Sequence, residues 1–96
     1  MEKEYIVIWP SYINSSLSRN EGRKVSKKIA VESPSIEEIL NACKELGLDV
    51  LIEKNKAFPR TPWDKSGRVL VKKSDKKLKL LIKICEIIRK NRKHRP

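Results

Sequence analysis

The chain reads as an α+β protein, a β-α-β-β-α two-layer sandwich whose three-stranded sheet carries both helices on one face. Three observations predict this. Two stretches place apolar residues three and four apart along a single side, so each helix has one face to bury. Three short β-branched runs precede or separate those stretches. A chain of 96 residues makes one domain with a thin core, hiding roughly 60–65% of the surface that the unfolded chain exposes.

Tyr5-Ile-Val-Ile-Trp9 is an apolar run closed by Pro10 and reads as a buried strand. From Pro10 to Pro34 no periodicity is sustained, and a connection of that length in a compact domain usually carries function. Ser35-Ile36-Glu37-Glu38 fits a capping box, in which Ser35 and Glu38 satisfy each other's exposed backbone donors. Ile36, Ile39, Leu40, Cys43 and Leu46 then form one helical face. Gly47 suits the left-handed position that ends a helix, with Leu48 packing back on Cys43.

Val50 and Ile52 alternate with Leu51 and Glu53, giving a second strand directly after the helix. Lys54 to Gly67 is a second irregular stretch, broken by Pro59 and Pro62, and Arg68-Val-Leu-Val-Lys72 is the third strand. Asp75 reads as the N-cap of a second helix running to about Arg89. Its core face would hold Leu78, Leu81, Ile82, Cys85 and Ile88, with Lys79, Lys83 and a Glu86–Lys90 pair on the solvent side. Residues 1–88 form the expected domain and 89–96 a basic C-terminal tail. A helix between the first two strands suggests a right-handed crossover if those strands are parallel neighbours, and the second and third strands are most simply antiparallel.

Charge narrows the function. The net charge is +11, from 23 Lys and Arg against 12 Asp and Glu. The acidic stretch coincides with the first helix, so the excess belongs to the two loops and the C-terminal end. Such a field attracts polyanions, with RNA or DNA leading and an anionic membrane or an acidic protein as alternatives. No run approaches the ~20 apolar residues of a membrane span, and Met1–Tyr5 lacks a signal-peptide pattern. Cys43 and Cys85 sit in apolar helical patterns as core residues, consistent with a reduced, cytoplasmic protein.

Catalytic patterns are missing. The single histidine, His94, lies at the extreme end, and there is no phosphate loop, HExxH or CxxC. Glu21 and Asp64, each beside basic residues, read as local charge balance. The expectation is therefore no enzyme, no cofactor and no metal. The first loop instead gathers Ser16, Arg19, Arg23, Lys24, Lys27 and Lys28, with Tyr12 expected exposed beyond the proline. The second gathers Lys54, Lys56, Arg60 and Arg68 around Phe58 and Trp63. The topology can bring both loops to one end of the sheet, where guanidinium groups pair with phosphates and hydroxyls meet the 2′-OH.

Five segments, in order, are similar to a known family: Trp9-Pro-Ser-Tyr12, Glu21-Gly-Arg23-Lys24, Ala30-Val-Glu-Ser-Pro34, Glu53-Lys-Asn-Lys56 and Gly67-Arg-Val69. From about Tyr5 to Ile88 the chain resembles the 19 kDa proteins of the signal recognition particle, in their short archaeal form. The resemblance implies a monomeric protein that clamps the tips of two adjacent hairpins of the particle RNA. It also implies that the 54 kDa GTPase subunit is recruited mainly through that RNA. Tyr12, Arg19, Arg23 and Lys24 match first-loop contact positions, and Lys54, Lys56 and Arg68 match the second region. Arg60 falls where the family's loop varies. The likeness departs at Ser26, where many relatives are expected to carry proline.

Overall fold

The computed structural model describes residues 5–57 and 67–93. Strand β1 spans Tyr5–Ile8, helix α1 Ile36–Glu45, strand β2 Val50–Glu53, strand β3 Arg68–Lys72 and helix α2 Lys77–Lys93. The sheet order is β1-β3-β2, with β3 antiparallel to both neighbours. β1 and β2 therefore run parallel to each other but are not neighbours, since β3 lies between them. This is the split β-α-β arrangement.

Register explains which side is buried. Ile8 and Ile52 both stand opposite Val69, while Ile6 and Val50 both stand opposite Val71. These side chains share one face because strand residues alternate. Ile8, Val69 and Val71 are fully buried against Ile39, Ala42 and Cys43 of α1 and Leu81, Ile84, Cys85 and Ile88 of α2. Both helices thus occupy one face, as the periodicity requires.

α1 is built at both ends as the sequence predicts. The Ser35 hydroxyl accepts from the Glu38 amide at 3.1 Å, and the Glu38 carboxylate accepts from the Ser35 amide at 3.1 Å. At the far end Gly47 adopts φ 73°. The Leu48 amide donates to the Cys43 carbonyl and the Gly47 amide to the Lys44 carbonyl, both at 3.0 Å, which closes the helix as a Schellman motif.

α2 departs from the expected pattern in three ways. Its buried face is Leu80, Leu81, Ile84, Cys85 and Ile88, while Leu78 is 54% exposed. The apolar residues of this helix occupy a wide arc, so a spacing of three and four admits two phases; packing against α1 and the first loop selects one. The helix also starts at Lys77, and the Asp75 carboxylate accepts from the Lys76 amide at 2.8 Å outside it.

The third departure is at the C-terminal end, where α2 continues to Lys93 past the expected end near Arg89. Its basic end is held by the acidic face of α1. Arg92 donates to both Glu38 oxygens at 2.7 and 2.8 Å, and Asn91 donates to Glu45 at 2.8 Å. Lys90 reaches the same Glu45 at 3.4 Å in place of the expected Glu86.

Candidate nucleic-acid interface

Residues 10–34 form a structured arm. A 3-10 turn at Pro10–Ile13 begins it, with proline pre-setting the first turn. The Val31 amide then donates to the Ile13 carbonyl at 2.9 Å and the Ser15 amide to Val31 at 2.8 Å, so the two ends of the arm are zipped together. Trp9, Tyr12, Ile13, Val25, Ala30 and Val31 all enter the main core. A second 3-10 turn at Arg19–Glu21 carries its own capping box, Ser18 with Glu21. These hydrogen bonds, from the Ser18 backbone and then its side chain, hold the Glu21 carboxyl below its ordinary pKa. Glu21 is therefore a backbone-fixing acid.

Two arginines brace this arm. Arg23 donates from Nε to the Val25 carbonyl at 2.8 Å and from Nη1 to the Leu17 carbonyl. Arg89 of α2 donates from Nη2 to the Lys28 carbonyl and, at 2.8 Å, to the Ala30 carbonyl. The Ser26 carbonyl accepts from the Ile29 and Ala30 amides at 3.0 and 2.9 Å, so the turn that leads there closes with serine in place of proline.

The expected residues that the structure describes separate into three groups. Ser16, Arg19, Lys24, Lys27, Lys54 and Lys56 are exposed. Arg23 and Arg68 are half-buried and partly committed: Arg68 pairs through Nε with Glu53 and lies over the Trp9 ring at 5.4 Å. Tyr12 is buried rather than exposed, because its turn folds back onto the core. That burial raises its phenol pKa. Arg60, with Phe58 and Trp63, lies outside the described residues, as do Asp64 and the end of the chain from His94.

The register places the strand ends that lead into both basic loops at one end of the sheet. Ile8 stands opposite Val69, and Glu53 opposite Arg68. The exit of β1, the exit of β2 and the entry of β3 therefore coincide, and the Arg68–Trp9 contact joins them. The connection is drawn tight where Gly67, at φ 90°, sends its amide to the Lys56 carbonyl at 2.9 Å. A Cβ there would stand 2.9 Å from Ile36 Cδ1 and 3.1 Å from the Glu53 carbonyl oxygen.

The arm also runs back to the start of α2, a contact the sequence reading lacked. The Tyr12 ring has the Lys24 ammonium 5.1 Å and the Lys77 ammonium 4.5 Å from its centroid. Burial first, and then the positive charge of Lys24, hold Lys77 below the usual lysine pKa. By contrast Lys79 and Lys83 lie 3.9 and 3.7 Å from the Asp75 carboxylate. Arg89 and Lys77 were hidden in the sequence because nothing local marks a helix residue as the neighbour of a loop some fifty or sixty positions earlier. Among the described residues no cluster of three or more His, Cys, Asp or Glu could hold a metal, and no helix is long and apolar enough to cross a membrane.

Fold and surface together define a small split β-α-β domain that displays cations from a braced arm and from the β2–β3 connection. The chain belongs to the SRP19 protein family, whose pattern matches residues 7–91. It is 46% identical over 88 residues to the signal recognition particle 19 kDa protein of Methanothermobacter thermautotrophicus, covering 92% of this chain and 97% of that one. It is likewise 46% identical to the protein of that name from Methanocaldococcus jannaschii, covering 88% and 97%. Among solved structures, an SRP19 in complex with the S domain of signal recognition particle RNA superposes with TM-score 0.84 at 47% identity, covering 86% and 95%. The Pyrococcus furiosus structure, described as one of two proteins assembling the ribonucleic core of the particle, gives 0.82 at 39%, covering 93% and 91%.

Proposed function

We propose that this chain is the RNA-binding assembly subunit of the signal recognition particle. It grips the tips of two adjacent hairpins in the particle RNA and so prepares the RNA for the 54 kDa GTPase subunit, without catalysis of its own and in the cytoplasm. The observation that carries this reading is the match, over 86% of the chain, to a protein solved on the S domain of that RNA. The distribution of charge supports it, since exposed cations line both of the loops that leave the same end of the sheet.

The exposed Ser16, Arg19, Lys24, Lys27, Lys54 and Lys56 are read as direct contacts, with Arg60 alongside them. Arg23, Arg68 and Tyr12 take part more through the backbone and rings they hold in place than through free donors. Residues 1–88 carry specificity in this reading. The segment 89–96 adds positive field, and its Arg89 and Arg92 also brace the arm and α1.

Order of addition tests the assembly role. The affinity of the GTPase subunit for the particle RNA should rise at least several-fold once this chain is bound. Equal affinity with and without it would reduce the role to simple RNA coating.

A further inference from the structure

Lys24 and Lys77 present an unusual pairing. One comes from the arm and the other from the first turn of α2, yet both ammonium groups lie near the same Tyr12 ring, at 5.1 and 4.5 Å. Among the described residues neither has a carboxylate within ion-pair distance, whereas the neighbouring Lys79 and Lys83 share Asp75. The Tyr12 ring attracts each ammonium, but it leaves their mutual repulsion without a neutralising charge, which an anion would supply.

The surroundings describe that anion further. Lys24, Lys77, Leu78 and Leu81 line an open hollow of about 290 Å³. Its floor is the buried Leu81, and its rim is Leu78, one of two large apolar side chains left mostly exposed among the described residues. Two cations beside an apolar rim match a phosphate followed by a sugar and base better than a bare inorganic ion.

We propose that Lys24 and Lys77, across the Tyr12 ring, form a binding site for one phosphodiester of the RNA backbone, with its nucleotide resting on Leu78. The site extends the RNA surface from the loop end of the sheet to the start of α2, and it rests on the RNA-binding reading above. Lys24 and Lys77 supply the charge there, and the Tyr12 ring is the neighbour they share.

The test is salt-dependent titration of the full chain against an RNA carrying the paired hairpins and one with both loop sequences scrambled. The variants are Lys77→Gln, Lys79→Gln, Lys24→Gln and the Lys24→Gln/Lys77→Gln double. Lys77→Gln should reduce the slope of log K against log salt by about 0.7–0.9, the value of one phosphate contact. Lys79→Gln, which removes the same charge two residues away, should change it by less than half as much. The double variant should lose less than the two single losses combined, because both lysines serve one phosphate. Without RNA, Lys77→Gln should melt close to the parent, since relieved repulsion offsets the lost ring contact. Equal slopes for Lys77→Gln and Lys79→Gln, or fully additive losses, would overturn the site while leaving RNA recognition intact. A parent chain that does not distinguish the two RNAs would overturn both.

Discussion

At the scale of single residues, the working surface depends on side chains that never leave the protein. Arg92 and Glu38 form a two-pronged pair at 2.7 and 2.8 Å, and the same carboxylate caps α1 at Ser35. Arg92→Ala should cost roughly 1–2 kcal/mol in urea denaturation, in the range of a well-formed, partly exposed charged pair. Glu38→Ala should cost more, since it also removes the carboxylate half of the capping box. Combined, the two should cost less than their sum. The cysteines make a second prediction. Burial pushes both thiols up to about 11, so at pH 8 the folded protein should react with a thiol reagent only as fast as it opens. Rapid labelling of either cysteine in the native state would contradict the core position.

At the scale of elements, what was legible depended on how local the signal was. α1 could be read in full because its caps, its apolar spacing and its terminal glycine all lie within fourteen residues. The three strands were equally clear, and Gly47 at φ 73° and Gly67 at φ 90° mark where the chain must turn. Gly47→Ala should cost about 1–2 kcal/mol for the left-handed backbone alone, as nothing lies within 4 Å of the added methyl. Gly67→Ala should cost more, because its methyl also meets Ile36 and the Glu53 carbonyl. Thermal melting of both variants checks the order. The arm from Pro10 to Pro34 was not legible, since its hydrogen bonds join Ile13 to Val31 and Arg89 to Ala30. Tyr12 was misplaced for the same reason: a residue after proline looks exposed until its turn is seen to fold onto α2. The phase of α2 went wrong where a broad apolar arc offered two equivalent faces, and only tertiary contact chose between them.

At the scale of the whole molecule, eleven excess positive charges must be held on a small body, and acidic residues help by tying basic elements together. Hydrogen bonding from Asn91, supported by Lys90, holds the Glu45 carboxyl below its usual pKa. The Lys76 amide, with Lys79 and Lys83, does the same for Asp75. A carboxyl with a lowered folded pKa contributes stability above its unfolded value, and that contribution disappears as pH falls through the folded value. The melting temperature should therefore hold between pH 7 and about 5 and fall below about 4, where the net positive charge also rises. A melting temperature that climbs on acidification would contradict this account. The charge of the two loops, and the end of the sheet from which both leave, were legible in the sequence. The division between exposed and internally bonded side chains was not, because a guanidinium bound to a carbonyl and one facing solvent are the same letter.

The most direct measurement of RNA recognition is the parent chain's affinity for the paired hairpins and for the loop-scrambled RNA, taken from about 50 to 300 mM salt. A preference for the paired hairpins that persists as salt rises is expected, because loop contacts add to phosphate attraction. Equal affinities that collapse together would mean that the charge alone binds, and would contradict that recognition.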